Sequence, residues 1–279
     1  MYINRIVEEQ IKKLLTTKKV LIILGARQVG KTTLIKHLLT EKEAFFLNLD
    51  VEVDLIRFSS AGHIAPQEAH RSFGSPSYLV IDEAQRLMNV GRIVKGWYDS
   101  NIPCKIILLG SSTLNLLDRT AEPLTGRNDK IFLTPLTFRE TLSAQSWYAR
   151  EYTDDMLLDN FSTPLDATLL TSIVTGQYPE VLTTDDRESL LLNLVSDYLL
   201  NDIVNLGMIK TPELIRRLLL LLAHQIGSEV SVYELSQNLG IARKTVERYL
   251  DLLEQTYVIF RLPAWSTNAR KEISKSKKI

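Results

Sequence analysis

A chain of 279 residues with 45% hydrophobic and 24% charged side chains is long enough to bury one large core or two modest ones. Its 33 basic and 33 acidic residues cancel, so net charge selects neither a nucleic acid nor a membrane surface as partner. The single cysteine, Cys104, excludes a disulfide framework and any cysteine-based zinc site, and it fits a reducing, cytoplasmic compartment. Charge is unevenly spread. Glu151 to Asp202 holds one basic residue, Arg187, against eleven acidic ones, whereas Ile241 to Ile279 holds nine basic and four acidic residues, so a polyanion is expected near the C-terminus if anywhere.

Met1 to Thr17 alternates apolar and charged residues as an amphipathic helix does and carries no apolar h-region, so no signal peptide is expected. Short β-branched runs then alternate with helical patterns, the layout of a parallel sheet covered by helices on both faces. Strands are expected at Lys19–Leu24, Ala44–Leu49, Ser77–Ile81, Lys105–Leu109 and Lys130–Leu133, with helices at Lys31–Leu39 and Val90–Asn101. After Pro135 the strand signals stop, and Phe138 to about Leu206 reads as a small helical lid. From Pro212 the pattern gives a leucine-rich helix to Ile226, a second at Val232–Leu239, a turn at Gly240, a third at Arg243–Gln255 and an extended run Tyr257–Leu262, the outline of a winged helix. The expected divisions are 1–137 for the α/β domain, 138–210 for the lid, 211–265 for the winged helix and 266–279 for a basic tail. The longest apolar run, Leu218–Ala223, is too short to span a bilayer, which takes about 20 residues.

The segment Gly25, Ala26, Arg27, Gln28, Val29, Gly30, Lys31, Thr32 fits G-x-x-x-x-G-K-[ST] between an expected strand and an expected helix, the context that a P-loop requires. The glycines let the backbone curl around phosphates, and N–H groups at the helix start present donors and a positive dipole end. Lys31 is expected on the β- and γ-phosphates of ATP, the Thr32 hydroxyl on magnesium, and Thr33 near the α-phosphate. Tyr78 to Glu83 is an apolar strand ending in two carboxylates, the form of a Walker B motif. In it Asp82 holds magnesium through water and Glu83 polarises the attacking water as general base. That glutamate, and the lack of an Asn-Lys-x-Asp segment, favour ATP hydrolysis over a small-molecule kinase or a GTPase. The coincidence to weigh against this is a glycine-containing loop and a solvated strand end, which the two motifs together make the lesser reading.

These motifs resemble a group of AAA-type ATPases of bacteria and archaea that combine a P-loop ATPase, a winged helix and a C-terminal nuclease-like domain of unknown function. The resemblance runs through Asp82-Glu83-Ala84-Gln85, Leu109-Gly110-Ser111-Ser112, Leu124-Thr125-Gly126-Arg127, Pro135-Leu136-Thr137-Phe138-Arg139-Glu140 and Gly176-Gln177-Tyr178-Pro179-Glu180, and on to a helix holding Tyr198, Asp202 and Ile203. It implies that Ser111 or Ser112 sits at the sensor position near the γ-phosphate, against the plain alternative of a strand-ending turn. It also implies that Arg127 is the arginine finger, in its own subunit or across the interface of a homo-oligomer, against the alternative of a solvated loop arginine. Two departures stand out: Gly176-Gln177 where the family shows Gly-Gly, and Asn201 where a basic residue often precedes the lid aspartate. The segment from Leu262 to Lys278 resembles the linker to the nuclease-like domain, which is expected to be absent here.

In the winged-helix segment, Arg243, Lys244 and Arg248 are the candidate DNA contacts, opposed on the same helix by Glu247, Asp251 and Glu254. The competing reading is a winged helix that packs lid to tail or binds protein. His37, His63, His70 and His224 have no partner at metal-ligand spacing and read as surface or core. The chain therefore reads as a magnesium-dependent ATPase coupled to a DNA-binding module, or alternatively as a nucleotide-gated regulatory switch with slow turnover.

Overall fold

Five short runs of β-branched and leucine residues become five parallel strands in the computed structural model, which describes residues 2–40, 42–110, 124–195, 212–262 and 278–279. They are β1 (Val20–Leu24), β2 (Ala44–Asn48), β3 (Tyr78–Asp82), β4 (Lys105–Gly110) and β5 (Asn128–Phe132). Their order across the sheet is β2-β3-β4-β1-β5 and every pairing is parallel. The inner strands β1 and β4 are buried along their whole length, so their sequences are continuous apolar runs rather than alternating ones. The strands match the expected positions within two residues; β5 starts at Asn128 rather than Lys130 because Asn128 already pairs with Val20.

The chain divides into two compact units, Met1–Leu191 and Leu192–Ile279. In the first, α1 (Glu8–Leu15) and α2 (Lys31–Leu38) flank β1, and α5 (Val90–Asp99) precedes β4. The amphipathic helix expected over Met1–Thr17 is confined to α1, with acids in its first turn and lysines in its last, as the helix dipole favours. Two further helices that the sequence pattern did not mark, α3 (Glu52–Ala61) and α4 (Pro66–Ser72), fill the crossover from β2 to β3. Phe58 of α3 is fully buried edge-on against Trp97 of α5, with ring centroids 5.4 Å apart. The same unit includes the helices Phe138–Ser143, Asp154–Asn160, Ser162–Thr175 and Pro179–Thr183. The first of them opens on a capping box in which Thr137 and Glu140 each satisfy the other's backbone N–H.

In the second unit the helices Val232–Leu239 and Arg243–Gln255 have the expected bounds, and Pro212–Ala223 ends three residues before Ile226. Gly240 makes the turn between the last two at a left-handed φ of 67°. The extended run Tyr257–Leu262 does not form a strand among the described residues. Tyr257 takes a left-handed φ of 62° and the N–H groups of Val258 and Ile259 both return to the Leu253 carbonyl, so the helix cap absorbs the start of the run. Leu262 alone reaches a β-bridge, antiparallel to Lys278. Ser111, Ser112, Tyr198, Asp202, Ile203, Trp265 and residues 266–277 of the basic tail lie outside the described residues. Among those described, no helix is long and apolar enough to cross a membrane.

Candidate functional site

The loop from Gly25 to Gly30 leaves the carboxyl end of β1 and turns back into α2. Gly25 has no room for a side chain: a Cβ there would stand 2.1 Å from the Leu133 carbonyl oxygen. Gln28 and Gly30 take left-handed φ angles of 60° and 90°, which curl the loop and leave Gly30 as the N-cap of α2. Lys31, the first residue of the helix, is buried, and its Nζ donates to the carbonyls of Gly25 (2.9 Å) and Ala26 (2.8 Å). The loop is thereby closed around its own ammonium group. Thr33 is exposed on the first turn.

Two strands away, β3 ends in Asp82. Its Oδ2 accepts a 2.5 Å hydrogen bond from the Thr32 hydroxyl, and its Oδ1 accepts from the Glu83 N–H at 2.9 Å. Glu83 itself stands at a left-handed φ of 50°, a conformation that costs a non-glycine residue about 1 kcal/mol or more and clusters at functional sites. Its carboxylate accepts from the Gln85 side chain. Burial raises its proton affinity above the ordinary glutamate range, Lys31 and Arg27 act in the opposite sense, and Asp82 and Asp50 add to the rise. Asp50, just past β2, pairs with Arg86 and lies 3.8 Å from Arg27.

β4 ends at Gly110, in register with Leu24 at the end of β1. The Gly176–Glu180 segment reaches the loop: Pro179 Cγ lies 3.8 Å from where a Gly30 Cβ would stand. Gln177 supplies its carbonyl to the Leu136 N–H at 2.8 Å. Its side-chain amide, oriented to satisfy both neighbours, donates to the Leu136 carbonyl and accepts from the Phe138 N–H. This accounts for the departure from Gly-Gly, because the larger residue clamps the entry to the helical segment.

Arg127 is not part of this cluster. Its carbonyl accepts from the Val20 N–H, at the amino end of β1, and its guanidinium pairs with Asp99 at 2.8 Å. Five residues of strand, about 16 Å, separate it from the loop. In its own subunit the arginine expected as the finger therefore stands at the edge of the sheet opposite the loop. What the motifs did not single out is Arg5, buried to 7% exposure, which donates to the Val29 carbonyl inside the loop. No short-range signal marks it, because its partner is 24 residues away.

The carboxyl edge of the sheet thus brings together the loop at the start of α2, the buried Lys31, and the Thr32 hydroxyl bonded to Asp82 at the end of β3, two strands from β1. Residues 17–142 match the AAA domain family. Along its full length the chain also matches the fold of a Walker-type ATPase of Pyrococcus abyssi, with a TM-score of 0.63, 16% identity and 93% of that chain covered. Residues 17–142 are an AAA-type P-loop domain. Beyond this AAA-type domain, residues 166–279 match a domain of unknown function (DUF8612). An uncharacterized protein of Mycobacterium tuberculosis is 28% identical over 97% of this chain and 55% of its own length. One of Methanocaldococcus jannaschii is 26% identical over 98% of this chain and 63% of its own length. The chain thus spans about half to two thirds of these relatives.

In the second unit, Arg243, Lys244 and Arg248 are exposed on the Arg243–Gln255 helix, together with Glu247. The Arg243 guanidinium lies 4.3 Å from the ring centroid of Tyr233. Arg261 bonds both Asp251 (2.6 Å) and Glu254, which neutralises two of the three acids on that helix.

Proposed function

We propose that this protein binds ATP with magnesium and hydrolyses it. The observation that carries the reading is the 2.5 Å hydrogen bond between Thr32 and Asp82 beside the buried Lys31. Hard oxygen donors, one of them anionic, suit magnesium, so Thr32 and Asp82 would hold the ion, which supplies charge neutralisation to the phosphates. The N–H groups from Gly30 to Thr32 receive the β-phosphate, with Gly25 through Gln28 forming the rest of the curl and Thr33 near the α-phosphate. Lys31 exchanges the Gly25 and Ala26 carbonyls for phosphate oxygens. Glu83 takes a proton from a water whose oxygen attacks the γ-phosphorus; the bond from that phosphorus to the bridging oxygen breaks, and ADP and phosphate leave. Its raised proton affinity brings the base closer to neutral pH. Ser111 remains the proposed sensor. The test is Lys31→Ala: it is expected to abolish magnesium-ATP binding in titration calorimetry, and retained affinity overturns the assignment.

In this reading residues 138–210 form a lid and 211–265 a winged helix, in a cytoplasmic protein whose ATP state sets the posture of the winged helix. The Arg261 bridges favour DNA as its partner, since they cancel the repulsion expected from Asp251 and Glu254. Log affinity for duplex DNA against log salt is expected to fall linearly, with a slope that shrinks by about two phosphate contacts in the Arg243→Ala, Lys244→Ala double variant. A flat slope in the native chain ends this reading. The alternative of a nucleotide-gated switch with slow turnover predicts a biological effect that persists when ATP is trapped.

A further inference from the structure

We propose that Arg5 is a positioning residue for the nucleotide site, acting through the Val29–Gly30 peptide. The inference rests on the ATP-binding reading above. Arg5 lies outside the P-loop motif and before the first helix, yet it is buried and bonded to the loop. Nη1 donates to the Val29 carbonyl at 2.9 Å, and Nη2 donates to the Thr134 carbonyl at 2.7 Å. Nε lies 3.2 Å from the Glu140 carboxylate.

The consequence follows from peptide geometry. The chain has no cis peptide among its described residues, so the Val29 C=O and the Gly30 N–H share a plane and point in opposite directions. By holding the Val29 carbonyl, Arg5 fixes the Gly30 N–H on the opposite side of that peptide, as a donor for the β-phosphate in the proposed site. Left to itself this peptide has a low barrier to rotation, because Gly30 at φ 90° tolerates several conformations. Every flipped conformer puts a carbonyl, instead of a donor, toward an anion.

The anchor that gives Arg5 its leverage is rigid. Glu140 Oε1 also accepts from the Ile6 N–H at 2.6 Å, and its Oε2 accepts from the Thr137 N–H at 2.8 Å within the capping box. The N-terminal strap is fixed at its other end by Tyr2, whose ring stacks on His37 of α2 at a centroid distance of 3.8 Å. A lysine cannot replace this arrangement. It carries a point charge on a flexible stem and lacks the planar fork that bonds Val29 and Thr134 at once.

Arg5→Lys, checked for folding by its thermal unfolding, tests the proposal with ADP and AMP as probes. We expect at least a tenfold loss of ADP affinity and a smaller ratio of ADP to AMP affinity, because only ADP carries the β-phosphate that Gly30 meets. A general loss of folded protein lowers both affinities equally. With glycine-selective nitrogen labelling, ADP is expected to shift the Gly30 amide proton strongly in the native protein and weakly in the variant. A folded Arg5→Lys variant with ADP affinity within twofold of native and the same Gly30 shift overturns the proposal. If Arg5→Lys does not fold, the Arg5→Met, Glu140→Gln double variant removes the buried ion pair as a unit, and the same loss and the same overturning result apply to it. A native protein that fails to bind ADP overturns the ATP-binding reading and this inference with it, an outcome distinct from native binding that Arg5→Lys leaves unchanged.

Discussion

Two buried lysines sit at opposite edges of the same sheet, and they do different things. Lys31 at the carboxyl edge and Lys105 at the amino edge are 6% and 8% exposed. Both donate to backbone carbonyls. The acceptors of Lys105 are the carbonyls of Leu14, Thr17 and Lys19, the fixed end of α1 and the turn after it, so this ammonium caps a helix. The acceptors of Lys31 are the Gly25 and Ala26 carbonyls of the loop itself, and in the proposed function they are exchanged for phosphate oxygens. Burial alone does not separate the two lysines; under the proposed function the replaceability of their partners does.

The neighbourhoods differ in the same sense. At the carboxyl edge Gln28, Gly30 and Glu83 hold left-handed angles, and an acid is kept at raised proton affinity. At the amino edge the charges are paired, Lys19 with Asp129 and Arg127 with Asp99. Strain and desolvation collect where a ligand can relieve them, outside the carboxyl ends of parallel strands.

The largest expected effect that sharpens this contrast is that of Glu83→Gln. Turnover is expected to fall by about 100-fold or more while ATP affinity stays, as loss of a general base requires. The same variant carries a stability signature. Because the folded state holds the Glu83 proton more tightly than the unfolded state, the native carboxylate costs stability once pH rises from the ordinary glutamate range through the raised value. Glu83→Gln is therefore expected to unfold at a higher temperature than the native chain near neutral pH, with the gap closing on acidification. A variant that loses turnover and stability together contradicts the picture of an acid held at a cost for function.

A smaller effect is expected at the other edge. Lys105→Met strips a donor from three carbonyls and should cost about 1–3 kcal/mol in denaturant unfolding, with turnover per folded molecule unchanged. Burial pushes the Lys105 ammonium down to about 8. A lysine depressed in the folded state leaves the unfolded chain binding more protons between that value and the ordinary one near 10.4, so native stability should rise across that window. Lys105→Met should abolish the rise. A loss of turnover in this variant breaks the comparison.

The difference between the edges also explains what the sequence disclosed. The parts of the candidate site were legible because they are local: Gly25 and Gly30 bracket a loop, and Asp82 and Glu83 end an apolar run. The helices Val232–Leu239 and Arg243–Gln255 were legible for the same reason, with Gly240 between them. Arg5 was hidden because its meaning lies in partners 24 and 129 residues away. The strand over Tyr257–Leu262 failed because a β-rich composition does not reveal that a helix cap will claim its first residues. The resemblance leaves open whose site Arg127 serves, and only the parallel register of β1 and β5 puts it at the amino edge of its own sheet.

The smallest expected effect in an isolated chain is that of Arg127→Ala, and it has the sharpest consequence for assembly. Within one subunit this cation is about five strand residues from the Lys31 loop. At protein concentrations where light scattering reports a monomer, the variant should therefore hydrolyse ATP at the native rate. If the resemblance is right about the finger, the cation must come from a neighbouring copy, and turnover of the variant should drop only where copies assemble. Mixing then decides the matter. Arg127→Ala keeps its own Glu83, and Glu83→Gln keeps its own Arg127, so a mixed assembly contains one complete site built from two defective chains. Recovery of turnover on mixing, when neither variant has it alone, assigns Arg127 to a neighbour's γ-phosphate. Native turnover by assembled Arg127→Ala leaves Arg127 as the surface partner of Asp99, as Lys19 is of Asp129.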